Sequence, residues 1–201
     1  MTLHPLPAAL AALFLGTVAA EAADNSAALD LIRRECSTCH GAQGVSVSPT
    51  FPNLAGQTPQ YLGAQLRAFR DHSRADPHAQ AFMWGMAAQL TDDTIKEMAD
   101  YFAKQPAPRG ASADKGEVAA GEKIYQEGVE KQDVPSCMSC HGDKAQGNEL
   151  FPRLAGQRRS YLEKQLEAFS TELRANEIMH ENAKKLSARQ ISDIAAYLSS
   201  L

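Results

Sequence analysis

The sequence predicts an all-α chain of two tandem helical domains, and three observations carry that reading. Most of the chain repeats itself once, in the same order. The apolar residues of the repeated segments fall at helical spacing, and no stretch alternates convincingly as a strand. Between the copies, residues 105–113 hold Pro106, Pro108, Gly110 and small residues without apolar periodicity, which marks a linker.

The repeat is close. Cys36-Ser37-Thr38-Cys39-His40-Gly41 returns as Cys137-Met138-Ser139-Cys140-His141-Gly142, and Phe51-Pro52-Asn53-Leu54-Ala55-Gly56-Gln57 as Phe151-Pro152-Arg153-Leu154-Ala155-Gly156-Gln157. A Tyr-Leu pair and a Gln-Leu-x-Ala-Phe run follow in each copy, Tyr61 to Phe69 and Tyr161 to Phe169. Met83 to Leu90 matches Met179 to Leu186, and Ile95 to Tyr101 matches Ile191 to Tyr197. The offset drifts from 101 to 100 and then 96, so the copies differ by a few residues of loop. Two copies indicate a duplicated domain. The expected division is a targeting segment at 1–22, a first domain at 23–104, a linker at 105–117 and a second domain at 118–201. The linker is expected to leave the domains largely independent. Each is about 80 residues, too few for an adequate core unless a large apolar group is packed inside.

Taken in order, the elements begin with an apolar run from Leu6 to Ala20 and a small-x-small cleavage signal, Ala20-Glu21-Ala22. No Lys or Arg precedes the run, which alternatively reads as a buried helix or a retained anchor, though it is shorter than the roughly 20 residues a bilayer span needs. Thr58 followed by Pro59 opens a helix through about Arg74. Thr91 caps another, with Asp92 and Asp93 in its first turn and Ile95, Met98, Ala99 and Phe102 on one face. Ser187 and Gln190 form a capping box for the last helix. A net charge of -4, with 22% charged and 44% hydrophobic residues, gives an ordinary globular surface and no basic patch for nucleic acid.

Cys-x-x-Cys-His is the spacing of c-type haem attachment. Both thiols add to porphyrin vinyl groups from one turn of chain, and the adjacent His supplies an axial nitrogen. Two such motifs in register within a repeat make Cys36, Cys39, Cys137 and Cys140 the attachment residues of two haem c groups, with His40 and His141 as iron ligands. A zinc ribbon would bring its Cys pairs about 15–20 residues apart, and a thioredoxin-like pair would need a βαβ context. Met83 and Met179 hold matching places ahead of each last helix and can face the His across each haem, ligation that raises the reduction potential. Met in a helical protein is also common core filler, the reading for Met86 and Met98. His72 and His78 are rival ligands for the first iron and His180 for the second, although none has a counterpart in the other copy.

On these motifs the chain resembles the diheme cytochrome c4 family, two fused class I cytochrome c domains each wrapped around one covalently bound haem c. The resemblance spans essentially all of the chain after the targeting segment. It implies that haem one takes Cys36, Cys39, His40 and Met83, and haem two Cys137, Cys140, His141 and Met179. It implies that the Pro52 and Pro152 carbonyls accept the other ring N–H of each His, a bond that fixes the imidazole. Class I domains begin with a helix whose Gly packs on the last helix. Gly121 and Tyr125 fit, but Asn25 to Glu35 has no Gly, so the first domain is expected to pack more loosely or through Ala27 or Ala28.

With both axial positions filled by protein, neither iron has a free site, which favours an electron carrier over an enzyme. The resemblance implies periplasmic transfer between redox partners, a donor such as a quinol-oxidising complex and an acceptor such as a terminal oxidase or reductase. Membrane association would be peripheral and through those partners. The alternatives are a diheme redox enzyme, such as a peroxidase or thiosulfate-oxidising cytochrome, and a gas sensor. Both need a labile methionine.

Overall fold

The computed structural model describes residues 27–201, together with Met1. The targeting segment expected at 1–22 lies outside the described residues. Among the described residues no helix is long and apolar enough to cross a membrane.

The architecture is helical. The only β pairing among the described residues is two isolated bridges, Val129 with Val134 and Asn148 with Phe151. In the first half, α1 (Ala27–Leu31) runs through a π-helical turn, Ile32–Cys36, into α2 (Ser37–His40). Then come α3 (Pro59–Arg70), a π-helical turn at Ala79–Met83, α4 (Trp84–Ala87) and α5 (Asp92–Ala103). The second half repeats the plan with α6 (Lys115–Glu127), α7 (Met138–His141), α8 (Arg159–Ser170), α9 (Glu177–Ala183) and α10 (Ala188–Ser200).

The caps read from sequence are in place for two helices. Thr91 Oγ1 accepts from Thr94 N at 3.2 Å, and Ser187 and Gln190 close a reciprocal capping box. Thr58 behaves differently. It makes no side-chain cap on α3, and its hydroxyl instead donates to the Glu149 carbonyl of the other half. α3 also stops at Arg70, short of the expected Arg74, because His72 turns the chain at φ +59°.

First and last helices cross in each half, but the contact is made differently. In the second half, Gly121 lies so close to α10 that a Cβ there would sit 1.9 Å from the Asp193 carbonyl oxygen. Tyr125, fully buried one turn on, meets Tyr197 at 5.5 Å between ring centroids. In the first half Ala28 and Ile32 take those places, buried against Met98, Ala99 and Phe102. Ala28, of the two alanines expected, is the one in the core.

The segment between α5 and α6 packs as it passes. Ala111 N donates to Ser199 O at 2.7 Å, Gly56 faces Ala107 and Gly156 faces Pro108. The two halves are not independent, because a buried polar seam joins them.

Candidate haem-binding site

The first attachment motif sits where the π-helical turn hands over to α2. Cys36 ends the turn, and Cys39 and His40 end the helix. Gly41 follows at φ +79°, and a Cβ there would lie 2.2 Å from the Val45 carbonyl oxygen, so the chain can reverse at that point only with glycine. Gly142 does the same after α7 at φ +88°. These reversals carry the chain back to Pro52 and Pro152. Nδ1 of His40 donates to the Pro52 carbonyl at 2.9 Å, and Nδ1 of His141 to the Pro152 carbonyl at 3.1 Å. A carbonyl can only accept, so Nδ1 carries the proton and Nε2 keeps its lone pair for a metal.

Electrostatics favour the same state. Burial pushes both histidines below the usual imidazole pKa, with the proline carbonyls partly offsetting it, so both rings are neutral. Phe51 and Phe151 present ring edges to His40 and His141 at 6.0 and 6.4 Å between centroids. Burial raises the thiol of Cys36 and pushes that of Cys137 up to about 11.

All ten residues named from sequence (four cysteines, two histidines, Met83, Met179 and the two prolines) line one continuous cavity of about 970 Å³ that runs through both halves. Met83 closes the π-helical turn and packs with Phe69, Ala79 and Ala87, whereas Met179 lies in α9. Met86, half exposed, and Met98, in the core, also reach the cavity, as does His78. His72 and His180 are not on its wall. His72 stacks on Trp84, and the His180 ring is hydrogen-bonded to the Phe169 carbonyl.

Comparison with known proteins agrees with this geometry. Residues 28–105 and 118–201 each match the family model for cytochrome c. The chain is 43% identical over 172 residues to cytochrome c-552 of Acidithiobacillus ferridurans, across 85% of this chain and 75% of that protein. It is 34% identical over 206 residues to a thiosulfate dehydrogenase electron acceptor of Thiomonas intermedia, across 96% and 91%. The solved cytochrome c4 of Acidithiobacillus ferrooxidans superposes with a TM-score of 0.80 at 42% identity, covering 84% of this chain and 99% of that one. The chain belongs to the cytochrome c4 family.

As a cytochrome c4 family member the protein holds two covalently bound haem c groups and is an electron-transfer cytochrome. Its residues fit that cofactor, since each half offers a paired-thiol turn, a neutral imidazole with a free Nε2 and a largely apolar wall.

What the sequence reading did not pick out is the seam. Gln57 and Gln157, the last residues of the repeated Phe-Pro-x-Leu-Ala-Gly-Gln segment, cross over and bond the main chain of the opposite domain. Asn53 N donates to Gln157 Oε1 at 2.7 Å, and Gln157 Nε2 donates to Asn53 O at 2.9 Å. Arg153 N and Gln57 mirror this at 2.7 and 2.9 Å. Beside them Arg74 and Arg174, both buried, are bridged by the side-chain oxygens of Gln65 and Gln165. The Arg174 guanidinium also donates to Tyr61 OH at 2.8 Å. Burial alone would raise the Tyr61 phenol, but the two guanidiniums outweigh it and hold it below its usual value. The available signal was polar residues repeating at the same offset as the apolar ones.

Proposed function

We propose that the protein is a periplasmic diheme electron carrier between respiratory redox partners, passing electrons from a donor such as a quinol-oxidising complex toward a terminal oxidase or reductase. One observation supports the reading: a cysteine pair, a histidine and a methionine from each half line a single cavity. Haem one takes Cys36, Cys39, His40 and Met83, and haem two Cys137, Cys140, His141 and Met179. The domains span 23–104 and 118–201, and segment 1–22 directs export. When bound, each haem supplies a one-electron iron couple. His40 and His141, held by Pro52 and Pro152, would supply Nε2 to the iron, and Met83 and Met179 would supply their thioether sulfurs and keep other ligands out.

The test is a redox titration of exported protein with optical and near-infrared detection. The expected result is two one-electron haems, each with a Met-sulfur charge-transfer band and neither binding carbon monoxide when reduced. A haem that takes up carbon monoxide in the native protein sinks the carrier reading in favour of a diheme redox enzyme.

Similarity to a thiosulfate dehydrogenase electron acceptor over 96% of the chain favours a second reading, in which the donor is a thiosulfate dehydrogenase. Catalytic amounts of such an enzyme plus thiosulfate would then reduce both haems. No reduction beyond the rate with thiosulfate alone rejects that donor.

A further inference from the structure

The residue after each axial methionine differs between the repeats, Trp84 in one and His180 in the other, yet the two do the same thing. Trp84 Nε1 donates to the Arg74 carbonyl at 2.8 Å. His180 Nδ1 donates to the Phe169 carbonyl at 2.8 Å. Both acceptors belong to the same repeated turn, in which Arg74 N returns to Ala68 O and Arg174 N to Ala168 O, each at 3.0 Å. Each turn is held by its own contacts. The guanidiniums of Arg74 and Arg174 lie 4.7 and 4.5 Å from the ring centroids of Phe69 and Phe169, and both arginines are fastened into the seam. His72, at φ +59°, stacks on Trp84 at 4.0 Å with 13° between planes, and Glu172, at φ +58°, approaches His180 Nε2 at 3.9 Å.

We propose that Trp84 and His180 are positioning residues, each tying its methionine-bearing segment to the arginine turn and so holding Met83 or Met179 over the iron. This rests on the methionine ligation proposed above. The methionine segments need such an anchor. Met83 ends a π-helical turn, and Met179 lies in a helix of only seven residues beside the exposed Ile178. The two anchors also differ in kind. In the first repeat it ends on the residue whose side chain spans the domains, and in the second on the phenylalanine beneath the corresponding arginine.

The experiment compares Trp84→Phe, His180→Leu and His180→Gln in the holoprotein, after mass spectrometry has confirmed two attached haems. The readouts are the Met-sulfur band and carbon monoxide uptake of each reduced haem. Removing one hydrogen bond of ordinary net strength raises the methionine-off population about two- to thirteenfold. Trp84→Phe is expected to raise carbon monoxide uptake by that factor at haem one only, and His180→Leu at haem two only. His180→Gln, which keeps an N–H donor, restores most of the native behaviour. Met83→Leu and Met179→Leu are the controls, each abolishing the band of its own haem. A band that survives both controls overturns the ligand assignment and the tether with it. Controls that behave as expected beside a Trp84→Phe protein with native bands and no carbon monoxide uptake overturn the tether alone. Equal loosening of both haems by either variant also overturns it, because a general loss of stability would do that.

Discussion

At the scale of single residues, the attachment motifs were legible because their chemistry is contiguous. Two thiols and an imidazole must reach one porphyrin from one turn, so Cys36, Cys39 and His40 stand within five positions. Gly41 and Gly142 were part of the repeated string, but their reason is conformational and shows only in the backbone. Gly41→Ala would force φ +79° on a residue with a Cβ and press it against Val45, at a cost of about 1–3 kcal/mol. The expected outcome is a lower melting temperature and a reduced yield of haem one, with haem two attached normally, measured by haem-stained peptide mapping. Trp84 and His180 could not be paired from sequence. Both carry a ring N–H, but their common role depends on carbonyls ten or more residues away.

At the scale of elements, periodicity and caps located the helices, but one of their ends was decided elsewhere. Nothing in Asp71-His72-Ser73-Arg74 reads as a stop, since the turn carries neither Gly nor Pro. α3 ends there because Arg74 folds back over Phe69 and donates across the seam to Gln165, a contact between segments. The crossing of first and last helices was half legible, as Gly121 announced one close approach and its absence elsewhere announced the other. Gly121→Ala is expected to drive α6 off α10, costing about 1–3 kcal/mol by overpacking. Ala28→Gly, which loses a buried methyl and adds the ordinary penalty of glycine in a helix, should cost about 1–2 kcal/mol. Paired thermal melts check both. A larger loss for Ala28→Gly than for Gly121→Ala refutes the account.

At the scale of the whole molecule, the linker's composition suggested two loosely joined domains, and the seam shows why composition misled. Its residues are polar, and a polar surface residue cannot be told from a buried one by type alone. The seam is also uneven. Arg74 pairs with Asp76 at 2.9 Å, both side chains nearly inaccessible, whereas among the described residues no carboxylate lies within ion-pair distance of Arg174, whose counterpart position carries Asn176. Burial alone would raise the Asp76 carboxyl. The Arg74 guanidinium, by charge and hydrogen bond, outweighs that and holds it below the usual carboxylate range. A carboxyl held low in the fold contributes stability that is complete above the unfolded value of about 3.9 and is lost as pH falls through the lower folded value. Asp76→Asn should cost about 1–3 kcal/mol at neutral pH, since it removes the charge partner of a buried guanidinium that keeps its bonds to Gln65 and Gln165. Melts run from about pH 6 down to about pH 3 should then show a shallower acid slope for the variant than for the parent. Identical slopes would remove Asp76 from the acid response.

The crossed glutamines have a consequence in the chain's ancestry. Gln57 bonds residue 153 as Gln157 bonds residue 53, so the same patch of each half recognises its own copy on the other. That self-complementarity defines an isologous contact between identical subunits related by a two-fold axis. A single-domain forebear carrying this glutamine would already have possessed a homodimer interface before its gene was duplicated and fused. The peptide between Gln105 and Ala107 would then be a later convenience rather than a requirement. Halves 27–105 and 106–201, co-exported and each loaded with haem, should therefore associate as a one-to-one pair on size-exclusion chromatography. Replacing Gln57 and Gln157 together by Ala should weaken that association.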